Sequence, residues 1–90
     1  MAPERDDVRV WLVERGYNNR DLIILKYATP DGERFFRKEI ASQAVDAESV
    51  TAARDVSPKN LEDVDDSELR DRYAAEAARV ADEHDPDDPI

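Results

Sequence analysis

Apolar and polar residues alternate through residues 8–15, Val-Arg-Val-Trp-Leu-Val-Glu-Arg, and the β-branched content makes this stretch a strand. Gly16-Tyr-Asn-Asn-Arg20 follows with turn residues that tolerate positive φ. Residues 22–28, Leu-Ile-Ile-Leu-Lys-Tyr-Ala, are apolar on nearly every position, the pattern of a strand inside a sheet. Thr29-Pro-Asp-Gly-Glu33 is the strongest local signal. Proline presets φ, Asp suits the next position, and Gly32 takes the left-handed position of a bulged three-residue hairpin loop. A third strand over residues 33–40 completes a meander. If Thr29 faces Glu33, Tyr27 lies opposite Phe35 and Leu25 opposite Arg37, with Lys26 and Ile24 meeting Phe36 and Lys38 on the other face. A one-residue slip would exchange the two faces.

Residues 41–56 read two ways. Asp46-Ala-Glu-Ser caps a short helix, whereas Val50-Thr-Ala-Ala-Arg-Asp-Val56 suits a fourth, edge strand, and the strand is preferred over 50–56. Ser57-Pro58 opens a short turn. Asp65-Asp-Ser-Glu68 then caps a helix over residues 67–83 with acid in its first turn. Leu69, Tyr73, Ala77, Val80 and His84 recur at spacings of 4, 4, 3 and 4, one helical stripe. The expected architecture is α+β: a three- or four-stranded antiparallel sheet backed by a C-terminal amphipathic helix. The stripe is expected on the sheet face carrying Ile23, Leu25, Tyr27 and Phe35. Residues 8–84 form the single domain in this scheme, with residues 1–7 and 85–90 as disordered tails.

Composition changes the picture by adding a milieu. The 90 residues hold 14 Asp and 9 Glu against 10 Arg and 3 Lys, with 12 Ala and a net charge of −10. Carboxylate excess with little lysine is the habit of proteins in molar salt, where the Debye length falls to about 3 Å and self-repulsion is screened. The charge is also uneven. Residues 1–40 carry eight basic and eight acidic side chains and residues 41–90 carry five and fifteen, so the whole −10 lies in the second part. The chain has no cysteine, which excludes disulfides, thiolate metal sites and thiol nucleophiles. No apolar run approaches the roughly 18 residues of a membrane span, and Met-Ala-Pro-Glu-Arg-Asp-Asp is no signal peptide, so a cytoplasmic location without membrane contact is expected.

Catalytic chemistry is thinly represented. There is one histidine, and both glycines, Gly16 and Gly32, sit in turns rather than in a phosphate-cradling loop. No catalytic, cofactor or metal residues are assigned, and no small-molecule substrate is evident. The acidic run Glu62, Asp63, Asp65, Asp66 and Glu68 lacks the glycine and spacing of a calcium loop and fits helix capping better. His84 with Asp85, Asp87 and Asp88 is better explained as a dipole contact at a helix C-terminus than as a cation site. The expected functional surface is the sheet face left uncovered by the helix, with Arg34, Phe36 and Lys38 from the third strand and Lys26 from the second. If parity agrees, Arg9, Trp11 and Arg15 join them from the first. Rings flanked by cations fit a protein partner or a second copy, and also the stacking and phosphate contacts of single-stranded nucleic acid, against which the acidic second half counts because its field repels phosphate. The same residues also fit a plain core with Arg and Lys stems laid over Trp11 and Phe36.

The segments beginning Val8-Arg-Val-Trp, Tyr27-Ala-Thr-Pro-Asp-Gly-Glu-Arg and Leu69-Arg-Asp-Arg-Tyr-Ala-Ala-Glu resemble a family of small acidic proteins of halophilic archaea. The resemblance spans most of the chain and implies a single domain in a saline milieu, with no assigned activity and no site residues to carry over. The hairpin ending Gly32-Glu33-Arg34 is also similar to three-stranded-sheet DNA-binding domains of integrases, from which the acidic helix departs. The function expected is a non-catalytic protein-interaction or homodimerising domain working through the face around Trp11 and Phe36. A nucleic-acid-binding module on the same face is the alternative.

Overall fold

A computed structural model describes residues 7–17, 22–41 and 50–89. Three long strands form the centre of the sheet: β1 (Val8–Tyr17), β2 (Leu22–Ala28) and β3 (Arg34–Ala41). Two short strands, β4 (Ala53–Val56) and β5 (Glu62–Asp63), flank them, and α1 (Ser67–Glu83) closes the chain. The sheet is antiparallel throughout in the order β4-β1-β2-β3-β5. Among the described residues it therefore has five strands rather than the three or four expected. The edge strand expected over residues 50–56 is present as β4, and β5 is too short to leave a period in the sequence. The choice between helix and strand for residues 44–49 lies outside the described residues.

The β2–β3 hairpin forms, but in a register one residue from that expected. Tyr27 pairs with Phe36, Leu25 with Lys38 and Ile23 with Ile40. The cause is the loop. Asp31 accepts hydrogen bonds from the Thr29 hydroxyl at 2.6 Å and the Glu33 amide at 3.0 Å. Gly32, at φ 73°, donates to the Thr29 carbonyl at 2.8 Å. Because the Asp31 side chain holds the Glu33 amide inside the turn, the ladder closes one residue later, with the Thr29 amide donating to the Arg34 carbonyl at 3.0 Å. The loop has four residues instead of three.

That slip inverts the faces. Ile23, Leu25, Tyr27 and Phe36 now share one face, where with Val10, Leu12, Val50 and Val56 they form the main core. The helix lies on the opposite face, against Ala28, Phe35 and Val13, and buries Tyr73, Ala77 and Val80 of the expected stripe. The expectation that α1 covers Ile23, Leu25 and Tyr27 is thus corrected. A β-bulge at Val13, between Leu12 and Glu14, gives the helix extra apolar surface to pack on. Helix bounds agree with expectation because the cap is local: the Asp66 carboxylate accepts from the Glu68 amide at 3.0 Å.

Residues 85–89, expected as a frayed tail, are instead bonded to the chain beside β4. The Ala52 and Ala53 amides donate to the Asp88 and Pro86 carbonyls, each at 2.9 Å, and Thr51 bridges Pro89. The unpaired amides of an edge strand supply the reason.

Candidate functional site

Arg9, Trp11, Lys26, Arg34, Phe36 and Lys38 do not form one surface. Trp11 pairs with Ala28 and Ala53, and Arg9 with Asp55, which with Lys26 places three of the six on the helix side. Phe36 pairs with Tyr27, Lys38 with Leu25 and Arg34 with Asp63, on the far side. The set expected to be joined is split by the same one-residue slip that inverted the hairpin. Arg15 also parts from Trp11, because the bulge at Val13 reverses the parity of β1.

Lys26, Arg9 and Phe36 each have a local partner. On the helix side the Lys26 ammonium lies 5.8 Å from the centroid of the Phe35 ring. Arg9 donates to Asp55 at 2.6 Å, and this contact holds the Asp55 carboxyl below its usual range. On the far side Phe36 lies 6.3 Å from Tyr27, ring to ring, and the Arg54 guanidinium covers both at 5.5 and 5.8 Å. Burial pushes the Tyr27 hydroxyl up, with Arg54 pulling against it. Arg54 carries no sequence signal of this role, since nothing local places it over rings that lie two and three strands away.

The described residues hold little that resembles a reaction centre. The Tyr73 hydroxyl donates to Glu14 Oε1 at 3.0 Å, and burial pushes this phenol up to about 12. This bond ties α1 to β1. Among the described residues no group of three or more histidines and carboxylates is placed to hold a metal ion. A cleft of about 670 Å³ opens between the hairpin and the start of α1, lined by Glu33, Arg34, Asp63, Val64, Asp65 and Arg70. Its charges are mixed in sign, three carboxylates and two guanidiniums, and Arg70 already donates to the Val64 carbonyl at 2.7 Å. Among the described residues no helix is long and apolar enough to cross a membrane.

What remains open is an edge. β5 pairs only with Arg34 and Phe35, so the outer side of β3 from Phe36 to Ala41 has no strand partner among the described residues. The side chains there are Arg37, Lys38, Glu39, Ile40 and Ala41, with Arg37 and Glu39 in a 2.6 Å ion pair on the helix side of the sheet. A groove of about 190 Å³ on that side, lined by Gly16, Tyr17, Ile24, Lys26, Glu14 and Arg37, runs up to the edge. Tyr17 is the large apolar residue most exposed among those described, at 71%. The sequence marked Lys38 as surface, set Arg37 opposite Leu25 and gave Arg37 and Glu39 no place in the candidate face, because their importance depends on which strand ends the sheet.

The chain belongs to a family of unknown function, DUF7967, whose profile matches residues 4–90. No curated protein and no solved structure matches it.

Proposed function

We propose that this member of the DUF7967 family is a non-catalytic protein-interaction domain that takes an extended segment of another chain onto the outer edge of β3. The open stretch from Phe36 to Ala41 carries the proposal. An unpaired strand presents amides and carbonyls that only another backbone satisfies fully, and added strands are a common mode of peptide recognition. At the far edge of the sheet Ala52 and Ala53 are bonded to C-terminal residues, and the longest open stretch among the described residues is that of β3. The face around Trp11 and Phe36, on which the nucleic-acid alternative also rests, is divided between the two sides of the sheet, so the interaction reading is carried by the β3 edge instead. The acid-rich, lysine-poor composition supports the further reading that the protein works in the cytoplasm of a halophilic archaeon.

Amide hydrogen exchange at low protein concentration tests the edge directly. The Arg37 and Glu39 amides are expected to exchange fast, and those of Phe36, Lys38 and Ile40, which face β2, slowly. Equal protection of both sets in the dilute protein would remove the basis for strand addition. Substituting Glu39→Pro would remove an outward donor without touching the β2–β3 ladder, and should abolish binding of extended peptides selected from a random library.

A further inference from the structure

We infer that the segment added to β3 is the β3 strand of a second copy, antiparallel and centred on Lys38. This deepens the strand-addition role and rests on it. Backbone direction comes first. The Val64 amide donates to the Glu33 carbonyl at 2.9 Å on the β5 side, whereas the Arg34 carbonyl accepts from Thr29 on the β2 side. β3 pairs with β2 without a bulge, so this alternation carries along the strand, and the backbone groups of Arg37 and Glu39 point outward.

A two-fold axis through Lys38, perpendicular to the sheet, sets Arg37 opposite Glu39 of the second copy, and Glu39 opposite its Arg37. These are hydrogen-bonded pairs, each exchanging both backbone bonds. The axis keeps faces matched. Guanidinium and carboxylate therefore meet twice on the helix side, and Phe36 meets Ile40 of the second copy on the far side. Moving the axis to Glu39 would set that carboxylate against itself and Arg37 against Ala41, so the charge pattern selects one register.

The geometry also predicts closure. β5 stops the open stretch at Phe36, and the opposite edge is covered where Ala52 and Ala53 bond to Asp88 and Pro86. Because the pairing is two-fold and both copies use the same stretch of β3, the product is a closed dimer rather than a fibre.

Two costs make the dimer weak. Lys38 faces its own copy, where lysine ordinarily blunts an edge, and each chain brings a net charge of −10. Both repulsions are screened by salt. Pairing over so few residues also buries less than the roughly 1,200 Å² of a standard interface, which puts the dissociation constant on the order of 10–1,000 μM.

Sedimentation equilibrium from about 10 μM to about 2 mM, in dilute and in molar salt, reads this out, together with exchange at the Arg37 and Glu39 amides. Dimer is expected at the upper concentrations and more of it in molar salt, with protection of these two amides rising in parallel. Arg37→Glu and Glu39→Arg should each weaken association about tenfold or more, and mixing the two variants should restore it, since every cross-strand pair is then of opposite charge. Lys38→Thr should tighten the dimer. A chain monomeric throughout, or an Arg37→Glu variant that associates like the parent, would overturn the inference. If the amides meanwhile stay fast at every concentration, strand addition by a different partner still stands. If they are protected even in the monomer, both ideas fall.

Discussion

Gly32 sits so close to Arg70 that a Cβ added to the glycine would lie 2.1 Å from the Arg70 carbonyl oxygen. The hairpin tip and the first turn of α1 thus meet backbone to backbone. The same Cβ would lie 2.7 Å from the Ala74 amide nitrogen, and Gly32 also holds a φ of 73°. A turn glycine is therefore a packing residue as well, and its absence of a side chain lets the helix seat on the sheet.

Gly32→Ala should accordingly destabilise the protein by about 2–4 kcal/mol, combining positive-φ strain with a clash against helix backbone. Gly16→Ala is the control, because nothing lies within 4 Å of an added Cβ there. Urea midpoints compare the two. Equal losses would mean that contact with the helix is unimportant.

The Tyr73–Glu14 bond should show itself in alkaline solution. The folded pKa of Tyr73 is raised to about 12, above the usual value near 10. A raised pKa means that its contribution is fully present below the unfolded value and is lost as pH climbs from about 10 through about 12. Tyr73→Phe should cost about 1 kcal/mol at neutral pH and should flatten stability across that alkaline window relative to the parent. A parent and variant with parallel profiles between pH 9 and pH 12 would contradict it.

Arg54 joins the two sheet-face rings that the main core leaves beneath it. Arg54→Ala is expected to lower stability by about 1 kcal/mol through the lost guanidinium contacts to Phe36 and Tyr27. Arg54→Lys should recover less than half of that, because an ammonium does not stack as a plane. Full recovery by lysine, in the same denaturant titration, would show that charge alone matters.

Salt should raise the melting temperature. Residues 41–90 hold fifteen acidic and five basic side chains, and the ion pairs Arg79–Glu83 and Arg9–Asp55 are exposed and contribute little. Screening of carboxylate repulsion therefore outweighs weakening of ion pairs. Calorimetry in dilute buffer and in molar salt checks this, and an unchanged melting temperature would count against the saline milieu.

Local chemistry was legible in the chain itself. The alternation of Val8 to Arg15, the apolar run of β2, the turn at Pro30 to Gly32 and the cap at Asp66 each depend on residues within a few positions of one another. The sequence by itself therefore determined the antiparallel α+β class, the helix bounds and the left-handed glycine. It did not determine which face the helix covers. β2 is apolar on both sides, with Ile23, Leu25 and Tyr27 on one and Leu22, Ile24 and Ala28 on the other, so a one-residue slip leaves its pattern as good as before. Only the folded structure decided, through the Asp31 carboxylate that holds the Glu33 amide and the bulge at Val13. That decision separated Trp11 from Phe36. It also ended β5 after two residues and left the edge at Arg37 and Glu39 open, because strand ends are set by partners distant in sequence and not by the strand's own residues.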